Sequence, residues 1–222
     1  MRKQIFGWAL PLLIVVPILL LDQLLKIYIK LNFTIGERAD IIPGLIELQF
    51  IENDGMAFGW AMPGVAGKLL LTGFRLIASV GIGVYLYKLI ERKSHTGLLV
   101  GISMIWAGAI GNIIDSAVYG RLFSHSGWGT VAHFSITKSV CDLNHTHLVM
   151  DDGYAPWLIA NVVDMFHFTV TWPSWMPSFM AGAEVFPPIW NVADASISIA
   201  VIWIILNQKT FFGNTPQSSE DA

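Results

Sequence analysis

The chain has 222 residues, of which 54% are hydrophobic and only 13% are charged, and its mean hydropathy is +0.59. This composition is too apolar for an ordinary soluble domain, and the net charge of −3 excludes the basic surface that nucleic-acid-binding proteins carry. The single cysteine, Cys141, excludes an intrachain disulfide framework and a cysteine-rich metal site. The composition therefore predicts an integral membrane protein.

Four apolar stretches are long enough to cross a bilayer as helices, which takes about 20 residues for ~30 Å of hydrocarbon. They cover about residues 5–28, 68–90, 97–119 and 188–206. The first stretch follows a short basic segment, as a signal peptide would, but no small-residue cleavage site comes after it, so we expect it to stay in the protein. The predicted fold class is membrane α-helical with four transmembrane helices, in one domain of residues 1–212 followed by a disordered polar tail of residues 213–222.

Two long connections separate these helices. Residues 33–66, between the first two helices, include an alternating stretch at residues 46–50, which predicts a small extracytoplasmic β-sheet there. Residues 120–187 form a long extracytoplasmic loop between helices three and four. Its tryptophans favour the interfacial zone of a membrane, so we expect this loop to lie along the bilayer surface.

Antiparallel threading brings the end of helix one, the end of helix three and the start of helix four to the same side of the membrane. The two long connections open on that side, whereas residues 91–96 form a short hairpin on the opposite side. Lysine and arginine are almost evenly divided between the two sides, with a slight bias that we interpret as cytoplasmic termini. The polar residues at the helix ends then face the extracytoplasmic side.

Three copies of the pattern Asn-x-x-Asp occur, at Asn112/Asp115, Asn161/Asp164 and Asn191/Asp194. A carboxylate in a membrane segment costs at least ~2.5 kcal/mol, so such residues usually have a partner or a function. On a helix, residues three apart share a face, and two nearby aspartates divide into one protonated acid and one ionised base, the pair that activates a water molecule. Spacing alone nominates Asp115 as the partner of Asp194. Asp194 is expected about six residues into its helix, roughly 9 Å from the helix start.

Other charged residues have simpler interpretations. Asp22 and Lys26 have the spacing and order of a helical ion pair, which predicts structural support at the end of helix one. Arg75, inside helix two, is expected to be paired structurally. The histidines of the long loop do not have the spacing of a zinc site, so neither a metal nor a cofactor is predicted.

Five blocks of the sequence resemble lipoprotein signal peptidase, the bacterial type II signal peptidase, which is an intramembrane aspartyl protease. The blocks, in order, are Asp22-Gln23-x-x-Lys26, Asn53-x-Gly55-x-Ala57-Phe58-Gly59, Gly111-Asn112-x-x-Asp115, Val162-Val163-Asp164-Met165-Phe166 and Trp190-Asn191-x-Ala193-Asp194-x-x-Ile197. Any one block is weak evidence, but five in family order over four predicted helices form a specific pattern.

The resemblance implies that Asp164 and Asp194 are the catalytic aspartates. It implies that the positions that shape the pocket and bind the substrate are Asn53, Gly55, Asn112, Asp115 and Asn191, with Asp22 as a supporting residue. The implied reaction removes the signal peptide of a prolipoprotein just before a cysteine that carries diacylglycerol, without a cofactor. The implied partners are prolipoproteins, membrane lipids and globomycin-type inhibitors, and the implied location is the bacterial inner membrane. We expect a monomer.

The sequence departs from the family pattern in two places. An arginine usually follows the aspartate of the third block, but this chain has Ser116, and we hypothesise that Arg121 supplies the missing cation. The stretch from 122 to 160 is longer than usual, and the sequence leaves open whether it forms a lid or a partner-binding surface.

Two other classes of function remain as alternatives. A small transporter or a proton or cation pathway would also place carboxylates in a membrane, and would tolerate charge-conserving changes. A non-catalytic lipoprotein-binding scaffold would tolerate the loss of both aspartates. The sequence favours the protease because it gathers two carboxyls and several amides without the through-membrane polar stripe that a pore requires.

Overall fold

The computed structural model describes residues 2–54, 64–135, 138–142, 145–149 and 153–212. Its helices are α1 (Arg2–Asn32), α2 (Gly64–Glu91), α3 (Thr96–Ile114), α4 (Gly120–Leu122), α5 (Val192–Leu206) and α6 (Gln208–Phe212). A single π-helical turn, Asp115–Tyr119, joins α3 to α4. The strands are β1 (Arg38–Ile42), β2 (Ile46–Asn53), β3 (Lys138–Asp142), β4 (His145–Val149) and β5 (Val162–Phe168).

The prediction of a membrane helical fold with four apolar helices and a small sheet is confirmed. Three helical stretches, Gly7–Asn32, Gly64–Glu91 and Thr96–Leu122, are long and apolar enough to cross a membrane. The fourth apolar helix, Val192–Leu206, is shorter, with 15 residues.

The fourth helix begins later than predicted. It starts at Val192 rather than near residue 188, because Trp190 pairs with Phe166 as a short extension of the sheet and Asn191 caps the helix. Asp194 therefore lies in the first helical turn, and the predicted depth of about six residues was wrong. A helix of 15 residues is about 22 Å long, less than the ~30 Å of a hydrocarbon core.

Close approaches of backbone hold the helices together around α3. A methyl group added to Gly108 would lie 2.3 Å from the carbonyl oxygen of Ala193 in α5, and one added to Gly101 would lie 2.9 Å from the side chain of Ile204. Small residues at such crossings allow helices to pack closely in a membrane, where lipid removes the usual hydrophobic driving force. Gly108 therefore allows the first turn of α5 to lie against α3, and Gly101 allows the last turn to do so.

The main sheet is antiparallel, in the order β1-β2-β5. The sequence predicted a sheet from the first long connection alone, but the third strand, β5, comes from the second connection. Ile51 pairs with Asp164 and Asn53 pairs with Val162, so the pairing of β2 with β5 brings Asn53 close to Asp164. One face of the sheet covers a buried apolar cluster that also includes residues of α1 and of the turn after α3, namely Ile29, Phe33, Phe50, Tyr119, Phe123, Ala160, Val163 and Met165.

The first part of the long insertion is joined to this core. Phe123 packs edge-on against Tyr119, with ring centroids 4.9 Å apart, and stacks on Phe134 at 5.0 Å. The buried Lys30 of α1 forms an ion pair with Glu52 and donates a hydrogen bond of 3.0 Å to the hydroxyl of Ser126. Residues 123–135 thus complete the surroundings of a buried charge on α1.

We expect Gly108→Ala to reduce the stability of the protein, because the added methyl group would overlap the backbone of α5. Overpacking of this kind typically costs ~1–3 kcal/mol. Gly81→Ala in α2 is the matched control, since nothing lies within 4 Å of its added methyl group. Thermal unfolding in detergent measures the difference, and equal stability of the two variants would contradict the close approach.

Candidate active site

Asn191 brings the two predicted catalytic aspartates together. Asn191 is the N-cap of α5 and forms a capping box with Asp194. The side-chain oxygen of Asn191 accepts a hydrogen bond of 3.0 Å from the backbone N–H of Asp194, and the carboxylate of Asp194 accepts one of 3.3 Å from the backbone N–H of Asn191. The Asn191 amide nitrogen donates a bond of 2.6 Å to Oδ1 of Asp164 on β5. One fully buried side chain therefore contacts both aspartates.

Two further amides point at the dyad. Nδ2 of Asn112 donates to Oδ1 of Asp194 over 2.8 Å, and Nδ2 of Asn53 donates to Oδ2 of Asp164 over 2.9 Å. The oxygen of Asn112 accepts a bond of 2.9 Å from Nζ of Lys26. Because a lysine ammonium only donates, it fixes which end of the Asn112 amide faces Asp194.

The environment of Asp164 favours its protonated form. Asp164 is nearly fully buried, and burial together with the neighbouring charge of Asp194 raises its pKa to about 7. Hydrogen bonds from Asn53 and Asn191 and the charge of Lys26 oppose this rise. Asp194 is only partly buried. Near neutral pH the pair can therefore hold one proton between two carboxyls, which is the condition for acid–base chemistry on a water molecule.

A buried ionic network contacts the backbone next to each aspartate of the dyad. Lys26 lies 2.9 Å from Asp22 and 2.8 Å from Asp115, and all three side chains are fully buried. Asp22 accepts a bond of 2.9 Å from the backbone N–H of Ala193, and Asp115 accepts one of 3.2 Å from the backbone N–H of Val163. The network thus joins α1 and the end of α3 to the residues that immediately precede each dyad aspartate.

The structure corrects the pairing that spacing suggested. The residue brought to Asp194 is Asp164, whereas Asp115 faces Lys26. Both oxygens of Asp115 are engaged, since Oδ1 accepts a bond of 3.0 Å from Gln23 and Oδ2 contacts Lys26 and Val163. This geometry favours a supporting role for Asp115 over the predicted substrate contact.

The motif at Asn161/Asp164 does not behave as a helical pair. Asn161 immediately precedes strand β5, and residues three apart on a strand point to opposite faces of the sheet. Asn161 accepts a hydrogen bond of 2.6 Å from Lys68, while Asp164 accepts hydrogen bonds from Asn53 and Asn191. Gly55, the remaining predicted substrate-binding residue, lies outside the described residues.

Sequence reasoning did not place Arg75 at the site. Its guanidinium donates a hydrogen bond of 3.2 Å to Oγ of Ser116 and lies within electrostatic range of Asp194 and Asp164. It lines a small cavity with other residues of α2 and with Asn53, Asp54, Ser116 and Ala160. The signal in the sequence is that Arg75 is the one charged residue of α2 between Lys68 and Lys88.

The contacts of Arg121 with Ser135 and Gly153 involve its backbone, so the hypothesis that its guanidinium replaces the family arginine stays a prediction. The carbonyl oxygen of Arg121 accepts a bond of 2.6 Å from Ser135, and its backbone lies against Gly153 at the base of the insertion. Arg75, from a different helix, contacts Ser116.

The sequence predicted that the histidines of the long loop do not form a metal site. Among the residues whose side chains the structure describes, no three histidine, cysteine or acidic side chains lie close enough together to hold a metal ion. His133 contacts the hydroxyl of Ser124 at 2.9 Å, and the side chains of Cys141, His145 and His147 are not among those described.

Known proteins that resemble this chain are bacterial membrane peptidases. The family model described as signal peptidase (SPase) II matches residues 14–210. A lipoprotein signal peptidase of Porphyromonas gingivalis is 37% identical over 200 residues, covering 87% of this chain and 80% of the relative. One of Amoebophilus asiaticus is 29% identical, covering 90% and 78%.

Solved structures show the same fold. Two structures of bacterial membrane enzymes align with TM-scores of 0.57 and 0.55 at 22% and 24% sequence identity. The alignments cover 96% and 92% of this chain and 93% and 94% of the solved chains. At this level of identity the similarity concerns the fold alone.

We expect the carboxyl of Asp164 to titrate near neutral pH in the folded protein. An infrared band of a protonated carboxylic acid should disappear as the pH rises through about 7, and Asp164→Asn should lack it. Asn53→Ala removes a hydrogen bond that favours the ionised form, so it should move the titration to higher pH. A titration unchanged in Asp164→Asn would assign the band to another group, and a shift to lower pH in Asn53→Ala would contradict the electrostatic account.

Proposed function

We propose that this chain, which belongs to the signal peptidase II family and is therefore a multi-pass membrane peptidase that removes signal peptides from prolipoproteins, cleaves by an aspartyl mechanism. The observation that carries the proposal is the capping of α5 by Asn191, which places Asp164 and Asp194 around one buried amide. Three amides donate hydrogen bonds to these two carboxyls, and one of the pair, Asp194, is only partly buried.

The proposed reaction begins with Asp164 protonated and Asp194 ionised. Asp194 takes a proton from a water molecule as its oxygen attacks the carbonyl carbon of the scissile peptide bond, while the proton of Asp164 stabilises the oxygen of that carbonyl. The carbon–nitrogen bond then breaks, and the leaving amine receives a proton from the dyad. The raised pKa of Asp164 supports this assignment of roles, because the acid must keep its proton near neutral pH.

The amides around the dyad hold its geometry during these steps. Asn112 and Asn53 each donate to a different aspartate, so neither carboxyl can rotate freely. Oriented donors of this kind stabilise developing charge without reorganisation at the moment of reaction. Arg75, within range of both aspartates, is the proposed cationic contact for the substrate carbonyl.

Further details of the reaction rest on the family resemblance. We infer that cleavage occurs just before a diacylglyceryl-modified cysteine, near the extracytoplasmic face of the bacterial inner membrane, with both termini in the cytoplasm. Membrane lipids and globomycin-type inhibitors are the other inferred ligands, and the inferred active form is a monomer. The position of Asp194 in the first turn of an apolar helix supports a reaction close to the membrane surface.

The rival proposal of a proton or cation pathway receives less support from the packing. The charged groups of the site collect at one end of α3 and α5, and Gly101 and Ile204 are in contact further along the same pair of helices. An ion path would need polar groups to continue along that contact.

We expect purified protein in detergent to cleave a diacylglyceryl-modified prolipoprotein, and Asp164→Asn and Asp194→Asn to abolish product. Loss of a general acid or base typically lowers the rate by ~10²–10⁴-fold, and an amide cannot accept the proton of water. Asp40→Asn, on the exposed edge strand β1, is the matched control and should leave cleavage unchanged. Gel shift measures the product, and gel filtration verifies folding.

Survival of activity in either dyad variant would remove that residue from the mechanism. Absence of cleavage by folded wild-type protein would instead favour the transport or scaffold alternatives.

We expect Arg75→Gln to lower cleavage by about 10²–10³-fold, the typical effect of removing one preorganised donor for a developing oxyanion. Arg121→Ala, at the base of the insertion, serves as the matched control. Because Oγ of Ser116 lies 3.2 Å from the guanidinium, the double variant Arg75→Ala/Ser116→Arg should recover part of the rate. Steady-state kinetics measures the effect, and a greater loss in Arg121→Ala than in Arg75→Gln would support the Arg121 hypothesis.

A further inference from the structure

Two apolar connections meet at the end of the sheet that is far from Asn53. One is the turn between β1 and β2, and the other is the segment that follows β5. Ile46 pairs with Phe168, and the backbone N–H of Thr169 donates a bond of 3.1 Å to the carbonyl oxygen of Leu45. Residues 41–46 and 169–186, apart from Glu184, therefore form one continuous surface, which we call the apolar end of the sheet.

The larger part of this surface is a hairpin. Backbone hydrogen bonds of 2.8 Å join Val185 to Val170 and Trp172 to Ala183, and the segment between them folds into tight turns. No residue from 168 to 183 carries a charged side chain. Near the tip, Trp175 is 79% exposed and Phe179 is 82% exposed.

The smaller part has the same character. Residues 41–46 also lack charge, and Ile42 and Leu45 are 51% and 43% exposed. An open apolar cavity of about 380 Å³ lies at the base of the hairpin and is lined by Phe168, Val170, Val185 and Phe186. Full removal of one valine, leucine, isoleucine or phenylalanine side chain from water is favourable by ~1.5–3 kcal/mol. Exposure of this surface to water is therefore unfavourable.

A band of charged residues lies directly behind the apolar end. Glu47 contacts Arg38 at 3.2 Å and the ring of the buried His167 at 2.9 Å, and the other ring nitrogen of His167 lies 3.2 Å from Glu184. These contacts tie the hairpin to both β2 and β5. The sheet is thus divided along its length into an apolar end and a polar band, as membrane-interfacial elements are.

We propose that the apolar end of the sheet inserts into the lipid interface of the membrane and thereby sets the depth of Asp164. Lipid is the occupant favoured by the structure because the hairpin leads within a few residues into α5, whose exposed Ile199, Ile202 and Ile205 face the same apolar phase. Tryptophan, which the hairpin has at positions 172 and 175, is enriched at this boundary.

The link to Asp164 is a single strand. Phe168 and Asp164 are four residues apart on β5, about 13 Å at the rise of an extended strand. Because the polar band fixes the hairpin to the strand, an apolar end held in the interface also holds the dyad at a fixed height. The lipid contact stands independently, whereas its effect on cleavage rests on the proposed function.

Spin labels can locate the apolar end directly. With Cys141→Ala as the background, a cysteine is introduced at Trp175 or Phe179, labelled, and the full chain is placed in phospholipid nanodiscs. Controls are a label at Ile77, which is 75% exposed on the spanning helix α2, and one at Asp40 on the exposed strand β1. Collisions with oxygen, which partitions into lipid, and with a water-soluble nickel chelate give the environment of each label.

We expect the labels at positions 175 and 179 to collide more with oxygen than with the nickel chelate, as the label at Ile77 does, but with a smaller difference because Ile77 lies near the middle of the spanning helix α2. Behaviour like that of the Asp40 label would overturn the proposal. Low accessibility to both reagents would also overturn it, because the hairpin would then be covered by a second copy of the chain or another protein.

The effect on catalysis is tested with the double variant Trp175→Ser/Phe179→Ser. In nanodiscs its cleavage rate should fall by about 10–100-fold, since misplacing reacting groups by ~1 Å has an effect of that order, while in detergent micelles it should stay close to wild type. Equal losses in both media would mean that the hairpin acts through its own fold, and would remove the depth-setting role. No cleavage by wild-type protein would count against the proposed function but would leave the spin-label result standing.

Discussion

The architecture depends on the compensation of one buried cation. The ammonium of Lys26 lies between the carboxylates of Asp22 and Asp115 with no exposure to solvent. Removing one partner of such a group typically costs 3–5 kcal/mol, because a charge is then left unpaired in a medium of low polarity. The three side chains must therefore meet, and their meeting fixes α1 against α3. Hydrogen bonds from Ala193 and Val163 then attach α5 and β5 to the same point.

This ionic network also orients an amide that contacts the dyad. Lys26 donates to the oxygen of Asn112, so the amide nitrogen of Asn112 must face Asp194, and the fully buried Asn191 donates to Asp164. The result is an asymmetric pair, with Asp164 buried and its pKa raised, and Asp194 partly exposed in a helix cap. Positive charge from Lys26 and Arg75 limits the cost of gathering so many carboxyls in one place.

The sheet relates this site to the surroundings of the protein. Strand β5 carries Asp164 near one end and the exposed aromatic hairpin beyond the other. The first part of the long insertion does not form a separate unit, since Ser126 and Phe123 complete the environment of Lys30 and the apolar cluster under the sheet. The first part of the insertion thus packs against α1.

Composition and local pattern determined the membrane class and the four apolar helices, and the five blocks that resemble lipoprotein signal peptidase nominated the residues of the candidate site other than Arg75. Hydropathy depends only on contiguous residues, so it can be read from the sequence. Asn and Asp residues within apolar segments can be identified in the same way. Only the tertiary structure decided how these residues combine. Spacing paired Asp194 with Asp115, but the pairing of β2 with β5 and the cap of α5 bring Asp164 instead, because both depend on contacts between segments far apart in sequence. For the same reason Arg75, an isolated cation in a helix, could be assigned to the site only when α2 was seen beside Ser116.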